Sequence, residues 1–187
     1  MSETARQHSF ESVALPLMDQ VFTTALYLTR DRTEAEDLVQ ETYLRAYRFW
    51  DRFQPGTNCR AWLLTIAHNL FRNRYRERQK TRSDVEFDET LLDIEAQSTV
   101  ERASDNPERL VLDQVLDQEV EDAMKALPVD YLEAVLLVDT QDLTYEEAAE
   151  AMACPVGTVR SRLSRGRRML HSALLEYARE RGLVEDK

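Results

Sequence analysis

The sequence predicts an all-α protein: two small helical domains joined by an acidic, flexible linker. Three observations lead there. Only 4 glycines and 5 prolines punctuate 187 residues, too few for the many tight turns of a sheet-rich chain. Apolar residues recur at helical spacing towards both ends of the chain. Charge is segregated: residues 1–82 carry 13 Lys/Arg against 10 Asp/Glu, residues 83–122 carry 2 against 14, and residues 123–187 carry 9 against 11. The net charge of −11 therefore sits mostly in one central segment. A polyanion would first meet the basic clusters at 72–82 and 160–168 that flank it. The expected division is 1–82, an acidic linker at 83–106, and 107–187.

In the first domain, Leu15, Met18, Val21, Phe22, Ala25, Leu26 and Leu28 mark a helix that ends at the polar break Arg30-Asp31-Arg32. Thr33 with Glu36 matches a capping box and opens a helix to about Phe49. Its apolar face is Ala35, Leu38, Val39, Thr42, Tyr43, Ala46 and Trp50. Residues Gln54 to Asn58 form a turn, and a helix follows from about Arg60 to Lys80 with Trp62, Leu63, Ile66, Ala67, Leu70 and Phe71 inward. From Ser83 to Asn106 acids alternate with isolated apolar residues; this reads as linker, with one weak helical stretch near 88–96.

Pro107 restarts order at a helix N-terminus, and that helix runs to about Leu127. Pro128 starts another, to about Val138. Thr144 with Glu147 is a second capping box, opening a short helix to Met152. Ala153-Cys154-Pro155 is a turn, and a last helix spans Val156 to about Arg181.

Several function classes find no support. His8, His68 and His171 lie far apart, and no zinc-protease, nucleophile-elbow or phosphate-loop motif occurs. Cys59 and Cys154 have no CxxC partner, so neither metal site nor dithiol chemistry is indicated, and no cofactor or enzyme activity is expected. No apolar run reaches the roughly 18 residues of a membrane span. The cysteine usage and the absence of a signal peptide point to the cytoplasm.

The last two helices have helix-turn-helix geometry. On the second, Val156, Val159, Leu163, Leu170 and Leu174 fall on one side at 100° per residue. Thr158, Ser161, Arg162, Arg165 and Arg168 fall on the other, with Arg160 and Ser164 on the flank. Residues 160–168 hold five arginines and no acid to pair with them, which favours contact with DNA edges and phosphates over a solvated helix face. The second constellation is Arg72, Arg74, Arg76, Arg78, Lys80 and Arg82 with Phe71 and Tyr75 interleaved, suited to a strand with unstacked bases. Trp62 reads equally well as a core aromatic. The row Asp37, Gln40, Glu41, Arg45 and Arg48 reads by itself as a solvated face.

Three segments resemble the extracytoplasmic-function (ECF) sigma factors of bacterial RNA polymerase. "AEDLVQETYLRAYRFWDRF" (Ala35–Phe53) is similar to region 2.2, "AWLLTIAHNLFRNRYR" (Ala61–Arg76) to regions 2.3 and 2.4, and "LTYEEAAEAMACPVGTVRSRLSRGRRML" (Leu143–Leu170) to region 4.2. The segments "FESVALPLMDQVFTTAL" and "GTNCRAWL" most resemble the subset governing thiol and oxidative stress.

The resemblance implies a partner for each surface. Asp37, Leu38, Gln40, Glu41 and Arg45 become the face that docks on the β′ clamp of core polymerase, with the β flap a further contact for the second domain. Phe53, Gly56, Asn58, Cys59, Trp62, Asn69, Arg72 and Arg76 become the group meeting the −10 strand. There a flipped base would offer its Watson–Crick edge to the Asn58 and Asn69 amides and to backbone that Gly56 lets approach closely. Thr158, Arg160, Ser161, Arg162, Arg165 and Arg168 become the −35 duplex contacts. The acidic linker would thread the basic RNA-exit region of the polymerase, mimicking nucleic acid. An anti-sigma factor is implied as a further partner, a small zinc-binding protein in the thiol-stress subset. The chain departs from the family at Ser164, where bulkier residues are common, and at Ala148–Met152, where small residues replace branched ones. Gly166 inside the recognition helix should cost about 1 kcal/mol against alanine, which points to close packing there.

Overall fold

The structure, a computed structural model, describes residues 3–85 and 118–180. The expected linker beyond Val85, its weak helix near 88–96 and the helix start at Pro107 lie outside the described residues. All regular structure among those residues is helical.

The first unit contains α1 (Glu3–Val13), α2 (Met18–Thr29), α3 (Arg32–Arg48) and α4 (Cys59–Val85). Helix α1 has no clear apolar stripe and is not legible from spacing. Tertiary contacts hold it: Phe10 is buried edge-on against Tyr43, Tyr47 and Trp50, and Arg6 Nη2 donates to the Tyr47 and Arg48 carbonyls that close α3. A 3₁₀ turn, Leu15–Leu17, leads into α2.

Helix α3 starts earlier than the Thr33 capping box predicts. Asp31 is the N-cap, its Oδ1 accepting from the Glu34 N–H at 2.8 Å, while Glu36 pairs with Arg32. Aspartate in extended backbone outcompetes a threonine two residues on. The predicted apolar face holds: Ala35, Leu38, Val39, Thr42, Tyr43 and Ala46 are buried. Past a second 3₁₀ turn, Trp50–Arg52, the indole of Trp50 stacks on Phe53 at 4.8 Å and meets Trp62 edge-on at 5.8 Å. This aromatic group anchors the loop that connects α3 to α4.

Helix α4 runs to Val85, five residues past its expected end. Leu63, Leu64, Ala67, Leu70 and Phe71 are buried as its inward stripe.

The second unit contains the described part of α5 (118–125), then α6 (Val129–Val135), α7 (Tyr145–Ala151) and α8 (Val156–Glu180). Helix α6 widens into a π-type turn at Leu136–Thr140, closed by Gln141 N–H to the Leu136 carbonyl at 3.0 Å. The Thr144–Glu147 capping box forms in both directions. Leu132, Leu136, Val159 and Leu163 make the centre of this unit. Gly166 sits against α6 as its position suggests: a Cβ there would lie 2.8 Å from Val135 Cγ2 and 3.3 Å from the Tyr131 carbonyl oxygen.

The two units pack together. Helix α4 lies against α7 and α2 against α6, and the seam is lined by Thr24, Leu28, Leu64, Ala67 and His68 on one side and Glu133, Leu136 and Leu137 on the other.

Candidate nucleic-acid interface

On the outer side of α3, Asp37, Gln40 and Arg45 are exposed and Glu41 half-buried. Glu41 bridges two helices: its carboxylate takes Arg74 of α4 at 2.7 Å and Arg45 at 2.6 Å. The Arg74 hydrogen bond holds this carboxyl below its ordinary range against the opposing effect of partial burial. Leu38 corrects the expectation: its side chain is wholly buried in the core, because its spacing from Ala35 and Thr42 puts it on the inner stripe, so it supports the face from beneath. Beside this face an apolar groove of about 590 Å³ opens between α1, α2 and α3, lined by Met18, Phe22, Val39, Leu44 and Tyr47 among others. Leu44 at its edge is 65% exposed.

The loop before α4 places its candidates unevenly. Gly56 has φ +88° and an exposed backbone, a conformation in which a side chain would be strained. Asn58 is the N-terminal cap of α4, its Oδ1 accepting from the Ala61 N–H at 3.2 Å, and its side chain is exposed. Phe53 and Cys59 are buried, so their expected role as strand contacts is corrected to support of the loop. Burial pushes the Cys59 thiol up to about 11. Trp62 is half-buried within the aromatic group, and Asn69 is exposed one turn beyond Thr65 on α4.

The alternating arginines of α4 divide between two sides. Arg74 and Arg78 turn to α3, pairing with Glu41 and with Glu34 at 2.8 Å. Arg72 points to the second unit, 2.9 Å from Asp130 and 3.4 Å from Glu133. Arg76 is exposed, and the side chains of Lys80 and Arg82 lie outside those described.

On α8 the predicted division of faces holds. Val159 and Leu163 are buried, while Arg160, Ser161, Arg165 and Arg168 are exposed and Thr158 and Arg162 half-buried. Arg160 lies over the Tyr145 ring of α7 at 5.3 Å, a cation–π contact that sets its direction. The lack of acids within residues 160–168 does not leave every arginine there unpaired. Arg162 reaches Asp130 at 3.1 Å, and Arg167 pairs with Asp139.

Sequence spacing did not find the pairings made by the acids of the second unit. Asp130, Glu133 and Glu147 sit on short helices whose partners are distant in the chain, so no local pattern signals those contacts, although the capping box marks Glu147 itself. Glu133 is 1% exposed. Its Oε2 faces Arg72, and its Oε1 lies 3.8 Å from His68 Nδ1 without a hydrogen-bond partner among the described residues. Burial raises the Glu133 carboxyl to about 7, opposed by Arg72, and lowers His68 to about 3, reinforced by Arg72 and Arg162. Glu147 Oε1 accepts from Asn58 Nδ2 at 2.9 Å. Partial burial opposes ionisation of Glu147, but the Thr144 N–H, the Asn58 amide and Arg60 outweigh it and lower its pKa.

The arrangement combines an exposed basic helix, a loop with an exposed but hydrogen-bonded asparagine and exposed backbone, and a charged helix face beside an apolar groove. No group of three or more His, Cys, Asp or Glu side chains able to hold a metal occurs among the described residues. No described helix is long and apolar enough to cross a membrane.

Comparison with known proteins supplies the family of this architecture. Residues 16–81 match the model of Sigma-70 region 2 and residues 117–170 that of Sigma-70, region 4. The chain is 34% identical, over 95% of its length, to ECF RNA polymerase sigma factor SigE of Mycolicibacterium smegmatis, and spans 63% of that relative's length. It is 39% identical, over 81% of its length and 76% of the relative's, to ECF RNA polymerase sigma factor EcfG of Rhodopseudomonas palustris. Among solved structures, the sigma factor RpoE in complex with the anti-sigma factor NepR from Bartonella quintana matches with a TM-score of 0.66 and 31% identity, over 89% of this chain and 96% of that one.

Proposed function

The chain belongs to the extracytoplasmic-function sigma factors of the sigma-70 family, and from that premise we propose that it gives bacterial core RNA polymerase its promoter specificity and helps open promoter DNA. The observation that carries this reading is the exposed arginine face of α8 on a helix-turn-helix, in one chain with the charged α3 face of region 2. Free energy for opening comes from phosphate contacts and from trapping unstacked bases. The chain performs no chemistry of its own and works in the cytoplasm, where the polymerase is.

In this reading residues 1–82 form region 2, 107–187 form region 4, and the acidic stretch between them follows the RNA-exit path. Asp37, Gln40, Glu41 and Arg45 dock on the β′ clamp, seated by Leu38, while region 4 also touches the β flap. Asn58, Asn69 and the Gly56 backbone read the −10 strand, and Arg72 and Arg76 hold its phosphates. Phe53, Cys59 and Trp62 shape that loop. Thr158, Arg160, Ser161, Arg162, Arg165 and Arg168 contact the −35 duplex. An anti-sigma factor restrains the protein; the NepR complex of the Bartonella relative supports such a partner. The regulon is a stress regulon, and the segments Phe10–Leu26 and Gly56–Leu63 favour its thiol and oxidative kind, with a zinc-binding anti-sigma factor.

The test is a gel shift of a promoter-fragment pool with core polymerase, this protein, or both. Selective retention of fragments sharing two spaced motifs only when both are present supports the reading. Selective binding by the protein alone would favour a free-standing helix-turn-helix regulator.

A further inference from the structure

Helix α1 lies ahead of residues 16–81, which match the region 2 model, yet three of its side chains grip the end of α3. Arg6 does most of this. Its Nη2 donates to the Tyr47 and Arg48 carbonyls, its Nη1 lies 3.3 Å from an Asp51 oxygen, and its guanidinium covers the Tyr47 ring at 5.2 Å. Ser9 Oγ accepts the Trp50 indole N–H at 3.4 Å, and Phe10 meets Trp50 edge-on at 5.1 Å. The aromatic row continues to the loop: Trp50 stacks on Phe53 at 4.8 Å, and Trp62 closes on both at 5.8 and 5.4 Å. The exposed loop 54–58 leaves from Phe53 and returns where the Trp62 N–H donates to the Asn58 carbonyl at 3.1 Å. Both of its ends are thus fixed to a row that begins in α1.

We propose that α1 positions the −10 reading loop: Arg6 and Phe10 fix the end of α3 and the Trp50–Phe53–Trp62 group, and so set where Gly56 and Asn58 meet a base. The proposal rests on the sigma-factor reading, in which those two residues face the −10 strand. Arg6 and Phe10 are positioning residues and touch no nucleotide themselves. Discrimination by hydrogen bonds needs its groups held to about 0.5 Å. Residues 54–58 contain no helix or strand to supply that precision, and Gly56 at φ +88° adds backbone freedom. Rigid rings packed edge-on and stacked supply it instead. Arginine suits the other anchor, since its planar fork donates to two carbonyls at a helix end that lacks donors. The Asn58–Glu147 bond also holds the loop, but through the amide assigned to the base. The α1 contacts use no reading group, so they persist with a base in place.

The experiment uses the full-length protein with core polymerase and the promoter fragments that the two retain together, each remade with all four bases at every −10 position. The readouts are the affinity ratio between preferred and other bases, the fluorescence of 2-aminopurine beside the preferred base, and the affinity for core polymerase. Arg6→Ala removes the bonds to α3, and Arg6→Lys keeps a donor for one carbonyl. Phe10→Leu fills the core but breaks the aromatic row, and it carries the test should Arg6→Ala not fold. Gln7→Ala is the control, at an exposed position of α1. Circular dichroism melts establish that each variant is folded at the assay temperature.

The expected result is a roughly tenfold fall in base preference for Arg6→Ala and Phe10→Leu, with a smaller 2-aminopurine change on binding. Polymerase affinity stays at the wild-type value, Arg6→Lys recovers part of the preference, and Gln7→Ala behaves as wild type. Wild-type preference in Arg6→Ala and Phe10→Leu, whatever their melting temperatures, would overturn positioning and leave the sigma-factor reading standing. Weaker binding of all fragments alike, or a matching fall in polymerase affinity, would overturn it too, as a general loss of structure. A wild type that retains fragments with polymerase but shows no base preference at −10 would overturn the loop's assignment and the proposal with it. A wild type that retains no fragment with polymerase would overturn the sigma-factor reading itself.

Discussion

The side-chain amide of Asn58 donates a 2.9 Å hydrogen bond to a carboxylate oxygen of Glu147, across 89 residues of chain. One residue caps the helix expected to face the −10 strand, and the other caps the helix-turn-helix expected to face −35. Asn58 is thus both an expected reading group and a structural cap, so stability and recognition can be tested with the same substitution.

The turn of the helix-turn-helix carries strain that can be relieved. Ala153 sits at φ +48°, where it ends α7 and lets the Cys154 N–H reach the Ala149 carbonyl at 3.0 Å. The left-handed conformation costs a non-glycine residue roughly 1–2 kcal/mol, and glycine's greater freedom when unfolded returns about half of that. Ala153→Gly is expected to stabilise the protein by about 0.5–1 kcal/mol, seen as a higher urea midpoint. An unchanged or lower midpoint would show that the turn is not strained.

Gly166 should respond in the opposite sense to its helix propensity. Alanine would favour the helix by about 1 kcal/mol. Its Cβ would meet a stiff β-branched side chain at 2.8 Å and a backbone oxygen at 3.3 Å, so α8 must shift off α6. A net loss of about 1–3 kcal/mol is expected for Gly166→Ala in chemical denaturation, and a gain would mean the two helices separate freely.

Arg165 is exposed on the predicted DNA face, 3.4 Å from the Tyr131 hydroxyl. Arg165→Ala should weaken holoenzyme binding to duplex −35 DNA. If the contact is to phosphate, the slope of log affinity against log salt falls by about 1 with little change in sequence preference. If it is to a base, preference relaxes at one position and affinity drops by about 1–3 kcal/mol. Unchanged affinity and slope would remove Arg165 from the interface.

The two cysteines should differ in reactivity. Cys59 is buried and its thiol raised to about 11, so little thiolate exists near neutral pH; Cys154 is half-buried. Iodoacetamide should modify Cys154 well before Cys59 in the folded protein, and both at similar rates in urea. Preferential loss of the Cys59 thiol would make it a candidate redox sensor.

Glu133 and His68 make a pH signature at the seam. The raised carboxyl adds stability below its ordinary 4.5, and that contribution is lost as pH rises through about 7. The lowered imidazole adds stability above its ordinary 6.5, lost as pH falls towards about 3. Between 4.5 and 6.5 the proton held on Glu133 offsets the one missing from His68. What remains is a fall of roughly 0.4 kcal/mol as pH rises from 6.5 to 8. Glu133→Gln should abolish that fall in thermal melts across this range; a variant with the same slope as wild type would show that Glu133 does not titrate there.

Local pattern was enough wherever one stripe faces one core. The inner faces of α3, α4 and α8 and the Thr144–Glu147 cap were legible because each is written within a few residues. Helix α1 was not, since Phe10 and Arg6 find their partners about 40 residues away. Leu38 and Cys59 show the limit for sites: they lie inside matching motifs, but periodicity assigns Leu38 to the core and the aromatic group shelters Cys59. His68 and Glu133 were silent because a polar residue on an apolar stripe acquires meaning only when the opposite surface is known.

The central claim is tested most directly by run-off transcription on a promoter library, using bacterial core polymerase with and without this protein. The account predicts start sites that appear only with the protein, preceded by paired −35 and −10 motifs, and lost on Arg165→Ala or Asn58→Ala. The absence of any protein-dependent start site, with the protein folded and bound to duplex DNA, would contradict it.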